Sequence, residues 1–146
     1  MRLKIFVSVW VIAATAVWAS SLPARATQVA SADSGAFQKI ISEQMKAFAS
    51  GDASKAFSFA TRELQKRFQT PGIFMEMVKR GYQPVYRPKD VTFGSSKMSS
   101  RGPVQEVYVT GPKGQSWLAL YSFEQDANGS WRISGCYLTE STGFAA

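Results

Sequence analysis

The chain contains no histidine, a single cysteine (Cys136), and only ten acidic residues against seventeen basic ones. Without histidine, Ser-His-Asp and Cys-His nucleophile pairs are excluded, and so are the common histidine-containing zinc sites. One cysteine cannot close an intramolecular disulfide even in an oxidising compartment, so the core must hold by packing. No second long apolar run follows the one that ends at Ala19, and a helical span needs roughly twenty such residues. Internal repeats, long low-complexity segments and catalytic motifs are lacking too. No metal or cofactor is expected.

What is present begins with a leader. Arg2 and Lys4 supply a cationic start, Ile5 to Ala19 a weakly polar to apolar run, and Pro23 a helix break before Ala24-Arg25-Ala26. This is the three-part layout of a secretory signal peptide, with small residues at the two positions that a signal peptidase reads. The run is short for a retained anchor, and no cysteine follows the site to take a lipid. Residues 1–26 are therefore expected to be removed, leaving an exported protein, periplasmic or secreted. Losing Arg2, Lys4 and Arg25 leaves fourteen basic residues against ten acidic, so the net charge falls from +7 to +4. About 120 residues remain, enough for one core and one domain.

Residues 27–34 read as a polar, flexible lead-in, 35–140 as the domain and 141–146 as a tail. Phe37, Ile40, Ile41, Met45 and Phe48 share one helical face, which predicts a first helix from about Gly35 to Ser50. Gly51 stops it, and Asp52 is placed to cap the next. Ala53, Ala56, Phe57 and Ala60 form a second helical face that extends to Leu64 and Phe68, with a break near Thr61 left open. Thr70-Pro71 reads as an N-cap and first-turn proline. A third helix, Pro71 to Arg80, is expected to bury Ile73, Phe74, Met77 and Val78 and to end at Gly81. After Pro84 and Pro88 the apolar period changes to two. Four strands are predicted over Asp90–Met98, Val104–Thr110, Gln115–Glu124 and Ser130–Thr139. Gly111-Pro112-Lys113-Gly114 and Asp126-Ala127-Asn128-Gly129 make hairpins of the last three. Strict alternation puts Trp117, Ala119, Tyr121 and Phe123 on one face. In the last strand it puts Trp131, Ile133, Gly135 and Tyr137 on one face, and Cys136 and Leu138 on the other. Helices followed by an antiparallel meander make an α+β fold.

Three N-terminal helices, the Gly51-Asp52 break and a last hairpin reading from Asp126 through Trp131 to Cys136 resemble the nuclear transport factor 2-like, or SnoaL-like, cone. The nearest likeness within it is to small exported bacterial proteins of an uncharacterised domain-of-unknown-function family. The resemblance covers about Ala36 to Glu140. It implies a curved sheet of about four strands wrapped around the first helix, forming a cup used variously for isomerase or dehydratase chemistry, ligand holding or dimerisation. A homodimer is thus one expectation, but fold does not select among these uses. Enzymatic members commonly place an Asp/His pair in the cup, and with no histidine here that assignment carries over to no position.

Three groups of residues compete for function. Tyr108, Trp117, Tyr121, Phe123, Trp131 and Tyr137 come together if the strands pair in order. Of these, Tyr108, Trp117, Tyr121 and Tyr137 would line a cup for a small apolar or aromatic ligand, whereas ordinary packing is the plainer account. Trp131 in particular is expected to be buried against the first helix. Arg62, Lys66, Arg67, Lys79, Arg80, Arg87 and Lys89 form a basic region suited to an anionic envelope component. Export and the lack of interleaved exposed aromatics argue against nucleic acid. Asp90, Glu106 and Glu124 would serve a cup enzyme only if one faced an apolar cavity, and a tyrosine is the other candidate for such chemistry. Cys136 reads as a buried free thiol, with an intermolecular disulfide as the sharper alternative. A non-enzymatic binding or accessory module is the expected function; an envelope interaction protein and a cup enzyme are the alternatives.

Overall fold

Phe37, Ile41, Met45 and Phe48 wind into the buried face of one helix, α1 (Ser31–Ser50), in the computed structural model, which describes residues 29–142. The predicted signal peptide, the first two residues of the lead-in and the last four of the tail lie outside the described residues. The helix begins four residues before the expected Gly35, taking up part of the lead-in. Asp33 accounts for this start. A carboxylate in the first turn is favoured by the unpaired N–H groups there, and Asp33 Oδ1 also accepts the indole N–H of Trp131 at 3.0 Å.

Gly51 ends α1 at φ 73°, a backbone region open to glycine, and the N–H groups of Gly51 and Asp52 return to Phe48 and Ala47 carbonyls. Asp52 then caps α2 (Ala53–Ser58) by accepting the Lys55 N–H at 3.0 Å. The second predicted helix is in fact two, because the chain leaves helical geometry at Phe59 and Ala60. There Ala60 forms a parallel bridge with Ile133, sealed by Thr61 N–H to Ile133 O at 2.9 Å and Ile133 N–H to Phe59 O at 2.8 Å. Thr61 caps α3 (Arg62–Phe68), and Thr70 caps α4 (Pro71–Gly81), with Pro71 in the first turn. In α4 the buried residues are Phe74, Met75 and Val78, whereas Ile73 is 51 % exposed and Met77 is half-buried. Phe57 and Phe68 pack on the Phe74 ring at 5.4 and 5.5 Å, and this turns the helix away from the expected Ile73 face. A short helix that periodicity does not reveal, α5 (Gln83–Tyr86), leads to the sheet and buries Pro84 and Val85.

The sheet is an antiparallel meander in chain order, β1 (Asp90–Ser99), β2 (Gly102–Thr110), β3 (Ser116–Gln125) and β4 (Trp131–Glu140). Among the described residues, five helices rather than three thus precede four strands, and the architecture is α+β. Gln105, Val107 and Val109 of β2 and Ala119, Tyr121 and Phe123 of β3 are buried, and α1 packs against the sheet through Phe37, whose ring stacks on Phe123 at 4.3 Å. Trp131 meets the edge of Phe37 at 5.0 Å and is half-buried, since its N–H must reach the exposed start of α1.

Two bulges bend the sheet, because an extra residue on one strand kinks it and increases its twist. In β1 the register shifts between Phe93 and Ser96. Gln105, fully buried, repairs that gap: its amide nitrogen donates to Gly94 O at 3.0 Å and its amide oxygen accepts from Ser96 Oγ. Gly94 leaves room for the Tyr108 ring, which a Cβ there would meet at 2.8 Å. In β4 the shift falls opposite Ser122 and Phe123, with Ser134 as the extra residue. Beyond it the alternation inverts. Cys136 pairs with Tyr121 and Leu138 with Ala119 on the helix-facing side, while Gly135 and Tyr137 move to the other.

Candidate functional site

The bulge in β4 and the chain break at Ala60 meet at Ile133, and there the helices stand away from the sheet. A cavity of about 220 Å3 lies between them. Phe48 of α1, Leu64, Arg67 and Phe68 of α3, and Phe74, Met77 and Val78 of α4 form its helical walls. Tyr82 and Val85 close one end, and Tyr121, Ile133, Ser134, Gly135 and Cys136 make its floor.

The polar groups in this wall are few and mostly committed. Gln44 is buried and donates its amide N–H to Ala56 O at 3.1 Å. Tyr82 Oη donates to the Cys136 carbonyl at 3.2 Å. Tyr121 is the exception: the residue is 1 % exposed, and no protein group pairs with its hydroxyl. Its cross-strand neighbour is Cys136, but the geometry makes no hydrogen bond between them. Burial, then the Cys136 charge, raises the Tyr121 phenol well above its ordinary range. The same two causes, in the same order, raise Tyr82. Burial pushes the Cys136 thiol up to about 12. All three groups stay protonated at neutral pH, and none is poised for proton transfer there.

A buried donor without a partner costs about 1–3 kcal/mol. Tyr121→Phe, which keeps the ring and removes the hydroxyl, is therefore expected to raise the unfolding free energy of ligand-free protein by about 1–3 kcal/mol. Chemical denaturation checks this, and a fall in stability would show that a bound molecule already holds the hydroxyl.

Of the four aromatics expected to share a cup, only Tyr121 lines this cavity. Tyr108 lies on the opposite sheet face, since it alternates with buried Val107 and Val109. Tyr137 is 66 % exposed, displaced by the Ser134 bulge. Trp117 faces the helices, but with Tyr137, Pro84 and Leu138 it borders a separate, more open depression. Its indole N–H is also buried without a protein partner. The expected placing of Cys136 away from the helices is likewise corrected: the residue is half-buried and faces the cavity.

The basic residues do not act as one free patch. Lys79 and Arg80 reach Glu76 at 3.4 and 4.0 Å, and Lys79 and Arg87 stand 5.9 and 5.3 Å from the Tyr86 ring centre. Arg62, Lys66 and Lys89 are exposed, and Arg67 belongs to the cavity wall. None of Asp90, Glu106 and Glu124 lines the cavity. Asp90 and Glu124 are exposed at strand ends, and Glu106 accepts Lys97 at 2.8 Å on the outer sheet face. Ser134 escapes sequence reasoning, and Arg67 reads there only as part of the basic region, not as a cavity residue. The one legible signal is the Ser134-Gly135 pair inside a strand, because glycine there often marks a bulge.

Among the described residues, no three or more His, Cys, Asp or Glu side chains gather as a metal site, and no helix is long and apolar enough to cross a membrane. Comparison with curated proteins finds no match. A family model built on the domain of unknown function DUF4864 matches residues 30–146, and the chain belongs to that family.

Proposed function

We propose that this protein is an exported, non-enzymatic binding module that holds a small, largely apolar ligand in the cavity between the helices and the sheet. The observation that carries this reading is a cavity walled by Phe48, Phe68, Phe74, Val78 and Ile133 in which one buried hydroxyl, that of Tyr121, has no protein partner. Small-molecule sites have this composition, apolar walls with a few placed polar groups. The volume of about 220 Å3 suits one ring with substituents, since a dry cavity of about 150 Å3 accepts benzene. The helices-then-meander order further supports the resemblance to the nuclear transport factor 2-like cone, whose members include ligand holders. Export rests on Arg2, Lys4, the apolar run and Ala24-Arg25-Ala26.

The test is titration of the exported protein with toluene, followed by backbone NMR shifts around the cavity, after intact mass has established a start near Thr27. Saturable shifts are expected that are unchanged between 0.1 and 1 M salt, because apolar contacts are not screened. Leu64→Trp, which adds bulk at the α3 wall, should abolish them. Folded wild-type protein showing no saturable shift would overturn the binding reading, and a mass that retains residues 1–26 would overturn export.

A further inference from the structure

The cavity is apolar along its length but polar at two places of opposite chemical demand. One is the Tyr121 hydroxyl. It remains a proton donor, and among the described residues no acceptor lies within hydrogen-bond reach of it. An occupant must therefore bring a hydrogen-bond acceptor to this floor. The other place is Arg67. It is exposed, so its side of the cavity reaches solvent, and it is the one cation in a wall that contains no Asp or Glu. Glu63 lies one turn away on α3, yet Arg67 makes no ion pair among the described residues. An unpaired guanidinium presents a planar fork of donors that fits a carboxylate bidentately. The same wall includes Phe48, Phe74, Val78 and Ile133, which offer only apolar surface.

Resting on the binding reading above, we propose that the ligand is a small ring carboxylate, its carboxylate held by Arg67 at the mouth and an oxygen acceptor at its far end taking the Tyr121 hydroxyl proton in a hydrogen bond. A neutral hydrocarbon would leave both polar groups unanswered. A dicarboxylate would bury its second charge beside an uncharged phenol. A cation would meet Arg67. The site therefore sorts ligands by which end is charged as well as by size.

The experiment uses the full exported chain and four probes: toluene, 4-acetylbenzoate, its near-isostere 4-isopropylbenzoate without an acceptor, and the uncharged 4-acetylbenzamide. Calorimetry or NMR titration at 0.1 M salt is expected to rank 4-acetylbenzoate about tenfold tighter than 4-isopropylbenzoate and than 4-acetylbenzamide, tenfold being about 1.4 kcal/mol. Tyr121→Phe should erase the advantage of the acetyl over the isopropyl acid and leave 4-isopropylbenzoate unchanged. Arg67→Gln should weaken both acids about tenfold and leave the amide unchanged, and raising salt to 1 M should mimic it in part. Circular dichroism confirms that each variant is folded, and Arg67 is exposed, so its substitution spares the core. Toluene binding with acids no tighter than the amide, or with Arg67→Gln indifferent to the acids, overturns the ligand class and leaves the binding cavity standing. A Tyr121→Phe variant that shifts all probes equally overturns the donor role. Failure of every probe, toluene included, removes the binding reading itself.

Discussion

Phe37→Ala is expected to lower the unfolding free energy by about 3–5 kcal/mol, the range for deleting a large buried aromatic. Phe37 is fully buried, stacks on Phe123 at 4.3 Å with planes 19° apart, and makes an edge-to-face contact with Trp131 at 5.0 Å. It is thus the contact through which α1 is fixed to β3 and β4 together. Aromatic pairs add about 0.5–1.5 kcal/mol beyond the area they bury, and the rigid β3 strand cannot collapse into the space left behind. A domain of this size is stabilised by only about 5–15 kcal/mol in all, so the variant should retain a small margin. Urea denaturation checks the figure. A midpoint within error of wild type would mean that α1 does not seat on the sheet as described.

The second large effect concerns the Cys136 thiol. Burial raises it from an ordinary 9.0 to about 12. Because the thiolate is the nucleophile, the raised pKa should slow alkylation of native protein at neutral pH on the order of thirtyfold relative to the unfolded chain, the scarcity of thiolate being partly offset by its greater nucleophilicity. The same shift predicts an alkaline limb in stability. The group is neutral when protonated, so as pH rises the unfolded chain releases its proton first. Its contribution is fully present below about pH 9 and is lost as the pH climbs toward about 12. The loss is on the order of 4 kcal/mol, at about 1.36 kcal/mol per unit. Cys136→Ala should reduce that limb, while Tyr121, also raised by burial, maintains one of its own. Rapid modification of folded protein by iodoacetamide at pH 7.5 would place the thiol in solvent and refute both expectations.

Where a single residue type decides a local conformation, the sequence reads true. Gly51, Asp52, Thr70-Pro71 and the glycines of the two later hairpins act as their chemistry requires, and the meander follows from the spacing between them. Features that depend on contacts distant in sequence do not read this way. The break at Phe59 and Ala60 is made by Ile133, and the Ser134 bulge is revealed only when β4 is set beside β3. That one inserted residue moves Tyr137 out of the expected cup and brings Cys136 in, and of the four aromatics expected there only Tyr121 lines the cavity. Gln105 shows the same limit, because a glutamine amid valines looks like a lapse in alternation until the β1 bulge it completes is in place.

The clasp between Asp33 and Trp131 joins groups 98 residues apart in sequence. Closing so long a loop is entropically slow, and contacts of this range delay folding. The first helix therefore waits, its Phe37 and Ile41 face bare, until the last strand arrives. For a chain made from its amino end, the clasp cannot close until Trp131 has been made, so α1 gains its last partner only when nearly the whole domain is present.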